Sequence, residues 1–223
     1  MNPIATRTVT ALTIAAILIC VIIFAPVWVF PWMLGVFGVL ALIEYVQLLR
    51  IKKPSAVVFA LFLIGGTALF AAAFGTLGWV ALVHKNLWLL FTVAVVKISD
   101  MGGFAFGLGS KKIFVDNHKL CPSISPGKSW EGLGGSIFGS CLVAFGFAGF
   151  TKFPWWLSLA VAFTAAIVGT FGDLVESKFK RWVGVKDSST MSFTNGMGGI
   201  LDMFDSLLFA PAAIWMLIAL LAA

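Results

Sequence analysis

Seven near-continuous apolar stretches constrain this chain more than any other feature. They run Val9–Ala25, Pro31–Leu49, Ala56–Gly75, Leu87–Leu108, Leu133–Phe150, Trp155–Gly172 and Ile200–Leu221. About 20 apolar residues carry a helix across a hydrocarbon core. Strands of a membrane barrel would instead alternate apolar and polar residues at period two. The chain therefore reads as all-α, a polytopic transmembrane helical bundle of about seven spans. No internal repeat or linker divides it, so residues 1–223 form one integral membrane domain. Composition agrees: of 223 residues, 61% are hydrophobic and only 11% charged, against about 25% charged in soluble domains. A soluble enzyme, a disordered chain and a nucleic-acid-binding domain are thereby excluded. The first apolar run lacks a small-x-small cleavage site, and it reads as the first span rather than a signal peptide. The three cysteines, Cys20, Cys121 and Cys141, show no paired spacing and read as packing residues.

The net charge of +6 has a membrane explanation, because basic residues gather in cytoplasmic loops. With the N-terminus inside, twelve Lys and Arg side chains fall on the cytoplasmic side: Arg7, Arg50, Lys52, Lys53, Lys111, Lys112, Lys119, Lys128, Lys178, Lys180, Arg181 and Lys186. Only Lys85 and Lys152 fall opposite, and Lys97 lies within the fourth span. This asymmetry predicts a cytoplasmic N-terminus, and two polar segments, 109–132 and 173–199, that face the cytoplasm. Residues 1–96 then supply the N-terminal spans, and 97–223 the half that carries chemistry.

Acidic residues at membrane depth are costly and mark candidate sites; the whole chain has nine. Lys97 and Asp100, three apart, share a helix face and suit either a self-neutralising pair or a site. Glu44 reads as structural, near the interface and Arg50. Asp202 and Asp205 also share a face, and with Asp173 at the same depth they suit a hard cation such as Mg²⁺ held by oxygen ligands; a water-exposed acidic helix start is the alternative. The segment Ser123–Gly132 combines hydroxyls, Gly127 and Lys128 before a helix start, a setting that offers N–H groups to phosphate. It lacks the first glycine of a P-loop, and that reading is rejected. At helical spacing, Asp173, Ser177 and Lys180 share a face.

In this order the motifs resemble the phosphatidate cytidylyltransferase (CDP-diacylglycerol synthase) family, from about Asp100 to Leu208. The carriers are Asp100-Met101-Gly102-Gly103-Phe104, then Ser125-Pro126-Gly127-Lys128-Ser129-Trp130-Glu131-Gly132. Further on come Gly172-Asp173-Leu174-Val175-Glu176-Ser177, Lys180-Arg181, Lys186-Asp187, Gly196 to Gly199, and Leu201-Asp202 through Asp205. Glu44-Tyr45 fits more weakly. The resemblance implies cytidylyl transfer from CTP to phosphatidate, giving CDP-diacylglycerol and pyrophosphate in phospholipid biosynthesis. It implies Asp173 and Asp202 as ligands of Mg²⁺, with a second cation as an option and Asp205 in support. Lys128, Lys180, Arg181, Lys186 and Asp187 would complete the catalytic set. Asp100, Ser125, Ser129, Glu131, Ser177, Gly198 and Gly199 would bind substrate. The expected partners are CTP, phosphatidate or a related lipid phosphate, and membrane lipids, with no nucleic acid and with a homodimer as a candidate assembly. The expected location is a bacterial-type inner membrane, with the site facing the cytoplasm. The chain departs from the family pattern at Asn195, Met197 and Met203, where Pro, His and Arg are usual, and the stretch after Lys186-Asp187 is about two residues longer. A related CTP-dependent polyprenol kinase of the dolichol or phytol type is one alternative, and the departures at Met197 and Met203 leave a weakened paralogue as another.

Overall fold

The computed structural model describes residues 28–113, 118–186 and 199–222, together with Phe24, Pro26 and Ser188. Nearly all of the expected first span lies outside the described residues, as do Asp187 and Gly198. In chain order the elements are α1 (Val29–Lys52), α2 (Ala56–Ile113), β1 (Lys119–Cys121), β2 (Ser125–Ser129), α3 (Trp130–Thr151), α4 (Trp155–Val183), α5 (Ile200–Phe204), a 3-10 turn at Ser206–Leu208, and α6 (Ala210–Ala222).

Local chemistry punctuates these helices. Lys53 ends α1 in the left-handed region at φ 50°, and Pro54, which has no N–H to continue the ladder, follows it. The Ser129 hydroxyl caps α3 by accepting the Gly132 N–H at 3.1 Å. Gly184 closes α4 at φ 95° and donates its N–H to the carbonyls of Lys180 and Arg181, the left-handed stop that glycine adopts without strain.

Five segments are long and apolar enough to cross a membrane: Val29–Lys52, Ala56–His84, Asn86–Ser110, Trp130–Thr151 and Trp155–Val183. The chain is an integral membrane protein. Two of these segments belong to α2, whose 58 residues would extend about 87 Å if straight. The contacts require it to double back. The Phe74 ring lies 5.3 Å from that of Phe204, while Lys97 Nζ donates to the neighbouring Met203 carbonyl at 2.8 Å. A straight helix would hold Phe74 and Lys97 about 35 Å apart. Trp79, His84 and Trp88 all pack on Trp215, which puts the reversal at that level. An outgoing arm (56–84) thus lies against α1, with Gly38 facing Phe74 and Tyr45 covering Gly66. A returning arm (86–113) lies against α3.

The seam between the returning arm and α3 is built from glycine. A Cβ on Gly102 would stand 2.3 Å from the Gly135 carbonyl oxygen, one on Gly135 2.5 Å from that of Gly102, and one on Gly139 2.7 Å from that of Ile98. Backbone meets backbone here, the close approach that small residues permit between membrane helices. Ser99 adds a hydrogen bond to the Ser136 carbonyl at 3.1 Å.

Of the polar segments, 109–132 contains a β-hairpin, β1 pairing antiparallel with β2, and the one from 173 starts inside α4, which continues to Val183. Two expectations are corrected. The connection expected near 75–87 is helical throughout. The continuous seventh span is in three pieces, α5, the 3-10 turn and α6. Pro211 has no N–H for the Leu207 carbonyl, and the Asp205 carboxylate takes the Ser206 N–H at 2.7 Å, so regular α-helix ends where these side chains intervene.

Gly102→Val should lower the thermal unfolding midpoint in detergent, consistent with an overpacking cost of about 1–3 kcal/mol or more. Gly109→Ala, whose new methyl would meet nothing within 4 Å, should leave the midpoint unchanged.

Candidate active site

A cavity of about 340 Å³ opens between the returning arm, the β-hairpin, α3 and α4. Asp100, Gly103, Ser125, Lys128, Ser129 and Asp173 are among its walls. Gly103, Gly107 and Gly132 leave parts of the wall as bare backbone. The hairpin is fastened to the start of α3: the Glu131 carboxylate accepts the His118 N–H at 3.2 Å and lies 2.8 Å from its ring Nδ1, and Trp130 donates its N–H to the His118 carbonyl. So held, Lys128 extends across the cavity to α4, where Nζ donates to Asp173 Oδ2 and lies 3.5 Å from the Thr170 carbonyl.

Three carboxylates from three elements gather beside that lysine. Asp100, Asp173 and Asp205 are near enough to interact electrostatically. Ser206 Oγ donates to Asp100 Oδ2 at 2.6 Å. Lys97 Nζ lies 3.5 Å from the same oxygen and 3.3 Å from Ser206 Oγ. Asp173 Oδ1 is buried without a hydrogen-bond partner among the described residues.

A second ionic group lies farther along α4. Lys180 Nζ bridges Glu176 at 2.9 Å and Asp202 Oδ1 at 2.7 Å. Asp202 Oδ2 accepts the N–H groups of Ser188 at 3.2 Å and Gly199 at 3.0 Å. Asp205 interacts with Glu176 as well as with Asp173, so it stands between the two groups. Glu176 also lines a second, almost wholly apolar groove, with Tyr45, Gly65, Phe70, Phe179 and Leu208 around it, and its volume is about 360 Å³.

The structure therefore brings Asp100, Ser125, Lys128, Ser129 and Asp173 together as the sequence suggests. It separates Asp202 from them: Asp202 meets Lys180, while Asp205 stays with Asp173. Ser129 serves as a helix cap. Glu131 faces the hairpin and lines neither cavity. Ser177 is half-buried outside both cavities, and Arg181 and Lys186 are exposed; Arg181 Nη1 donates to the Val185 carbonyl at 3.3 Å. Gly199 adjoins Asp202 through its N–H. Lys97, which with Asp100 suited either a self-neutralising pair or a site, joins the carboxylate cluster, and Glu44, outside both cavities, is fully buried rather than at an interface. Both carried a signal, an ionisable residue inside an apolar run.

Among the described residues, no three Asp, Glu, His or Cys side chains form a ready-made metal site. The donor set nonetheless suits a hard cation at one place: the unpartnered Asp173 oxygen, with Asp205 beside it. Asp202 suits it poorly, since Lys180 and two N–H groups occupy both of its oxygens.

A family model described as the cytidylyltransferase family matches residues 56–221. Curated relatives called phosphatidate cytidylyltransferase include those of Staphylococcus aureus (strain COL), 40% identical, Staphylococcus saprophyticus, 41%, and Staphylococcus haemolyticus, 42%. Each match runs over 124 residues, 55% of this chain and 45% of the relative. The matched stretch thus spans less than half the length of these relatives.

Lys180→Met should destabilise the protein by about 3–5 kcal/mol, because it strands two poorly solvated carboxylates. Arg181→Met, at an exposed position, should shift the unfolding midpoint little.

Proposed function

The chain belongs to the cytidylyltransferase family, and we propose that it transfers a cytidylyl group from CTP to phosphatidate, giving CDP-diacylglycerol and pyrophosphate. The observation that carries this reading is the Lys128–Asp173 pair at the wall of a glycine-lined cavity, one ion cluster away from an apolar groove. A nucleotide and a lipid need adjoining polar and apolar sites, and Asp205 and Glu176 connect the two here.

The lipid phosphate monoester is already anionic at neutral pH, so no strong general base is required. Its oxygen attacks the α-phosphorus of CTP. A new P–O bond forms, the α–β bridging P–O bond breaks, and pyrophosphate leaves with the bridging oxygen. Catalysis is then mainly positioning and charge neutralisation. Lys128 leaves Asp173 for a phosphate oxygen, and Ser125 and the hairpin N–H groups orient the triphosphate. Asp173 and Asp205 would hold Mg²⁺, which usually binds one or two carboxylates together with substrate phosphates. That ion would neutralise charge developing on the phosphates. Lys180 bridges Asp202 and Glu176 and offsets part of their charge at the lipid side. One acyl chain of the lipid acid would lie in the apolar groove, with its phosphate toward Glu176 and Lys180. The basic surplus in the polar segments supports a site facing the cytoplasm across an inner membrane.

Purified protein given CTP, Mg²⁺ and phosphatidate should release pyrophosphate. Release of CDP instead would support a kinase, and no release with any lipid acid would overturn the reading. Lys128→Met should lower kcat by roughly 100-fold, the scale expected on losing one transition-state donor. Gly65→Leu would put a side chain into open groove space, since a Cβ there meets nothing within 4 Å. It should raise KM for long-chain phosphatidate and leave KM for CTP unchanged; an unchanged lipid KM would remove the groove from the proposal.

A further inference from the structure

Glu44 lies in α1, far in sequence from both ionic groups, and is 0% exposed. A carboxylate at membrane depth is costly, and packing alone would be served by leucine. Its Oε2 accepts the Leu201 N–H at 2.9 Å. Among the described residues, its Oε1 is buried without a partner, as is the hydroxyl of Ser188. Gly199 is pressed between these two side chains: a Cβ there would stand 2.0 Å from Ser188 Oγ and 2.6 Å from Glu44 Oε2. The same short strap, 199–202, carries Asp202, which takes the N–H groups of Ser188 and Gly199. Glu44 and Asp202 thus divide the N–H groups of residues 188, 199 and 201 between them.

We infer that Glu44 is a positioning residue for the proposed reaction: by holding the Leu201 N–H it fixes the strap so that Asp202 meets Lys180. It reaches no cavity wall and acts through Asp202. If the strap loosens, Asp202 leaves Lys180, and Lys180 is free to swing away from Glu176 at the junction of the two cavities. The kinetic part of this inference rests on the proposed function; the structural part does not.

Hydrogen exchange on the full chain in nanodiscs, without substrate, reads the clamp directly. Amides of residues 199–205 should be protected in the wild type and exchange about tenfold faster in Glu44→Ala, on the scale of losing one charge-assisted hydrogen bond. Glu44→Gln should retain protection, because its amide oxygen accepts the same N–H. Gly199→Ala, which pushes on the clamp from the other side, should accelerate exchange too and serves if Glu44→Ala fails to fold. Tyr45→Phe, which removes only the Tyr45 hydroxyl bond to the Phe62 carbonyl, should lower the unfolding midpoint without changing exchange at 199–205. In the pyrophosphate assay, Glu44→Ala should lower kcat about tenfold in the wild type and have no further effect in Asp202→Asn, because residues acting through one another are non-additive. Equal exchange in wild type and Glu44→Ala, or additive kinetic losses, would overturn the inference. A wild type that releases no pyrophosphate sinks the proposed function instead, and the exchange result still decides the clamp.

Discussion

Hydrocarbon solvates neither an ammonium nor a carboxylate, and Lys180 meets that constraint more fully than any other residue described. Only 13% of its side chain is exposed, and it lies between Glu176, 6% exposed, and Asp202. One partner sits on its own helix and the other on the strap that leads into the last helix. The same device recurs twice. Lys128 ties the hairpin to α4 through Asp173, and Lys97 ties the returning arm to the last segment through Asp100, Ser206 and the Met203 carbonyl. Each lysine joins elements that glycine seams and apolar packing alone would leave free to slide, since helices gain little hydrophobic drive toward one another in lipid.

The broken last helix depends on these ties. A helix interrupted at membrane depth exposes backbone groups that lipid cannot satisfy. Here the Asp205 carboxylate takes the Ser206 N–H, Glu44 takes that of Leu201, and Lys97 takes the Met203 carbonyl. Asp202 and Asp205 lie three residues apart just before the break and serve different neighbours: Asp202 belongs to Lys180 and Asp205 to the cluster around Asp173.

Much of this was legible in the sequence. Continuous apolar runs gave the helices because the 3.6-residue repeat and the membrane's thickness leave few alternatives. The hydroxyl-glycine-lysine segment was placed correctly because Ser129 is both a motif residue and a cap. What could not be read was pairing across the chain. Nothing local in Asp202 says that a lysine 22 residues earlier will occupy it, and nothing in Glu44 says that its partner is the N–H of Leu201, 157 residues away. Proline and acidic side chains in 200–211 did signal a break, but high apolar content masked it. The reversal in α2 is visible as two spans, and its helical continuity has a signal too, since residues 76–86 contain neither proline nor a turn-forming pair.

The charge count around the first cavity bears on what can enter it. Asp100, Asp173 and Asp205 face Lys97 and Lys128, so acids outnumber cations with all five ionised. A triphosphate approaching that group would be repelled, more strongly than in water because the surroundings screen poorly. Two routes lower the barrier: protons remain on the acids, or positive charge arrives with the nucleotide. Protonation alone would leave Lys128 as the main attraction and the buried Asp173 oxygen still without a partner. A divalent cation entering with the nucleotide phosphates would give that oxygen a ligand, release Lys128 toward phosphate and balance the cluster in one event. The local excess of negative charge thus favours a nucleotide accompanied by its metal over the bare triphosphate, and it favours a position for the proposed cation beside Asp173 over one beside Asp202.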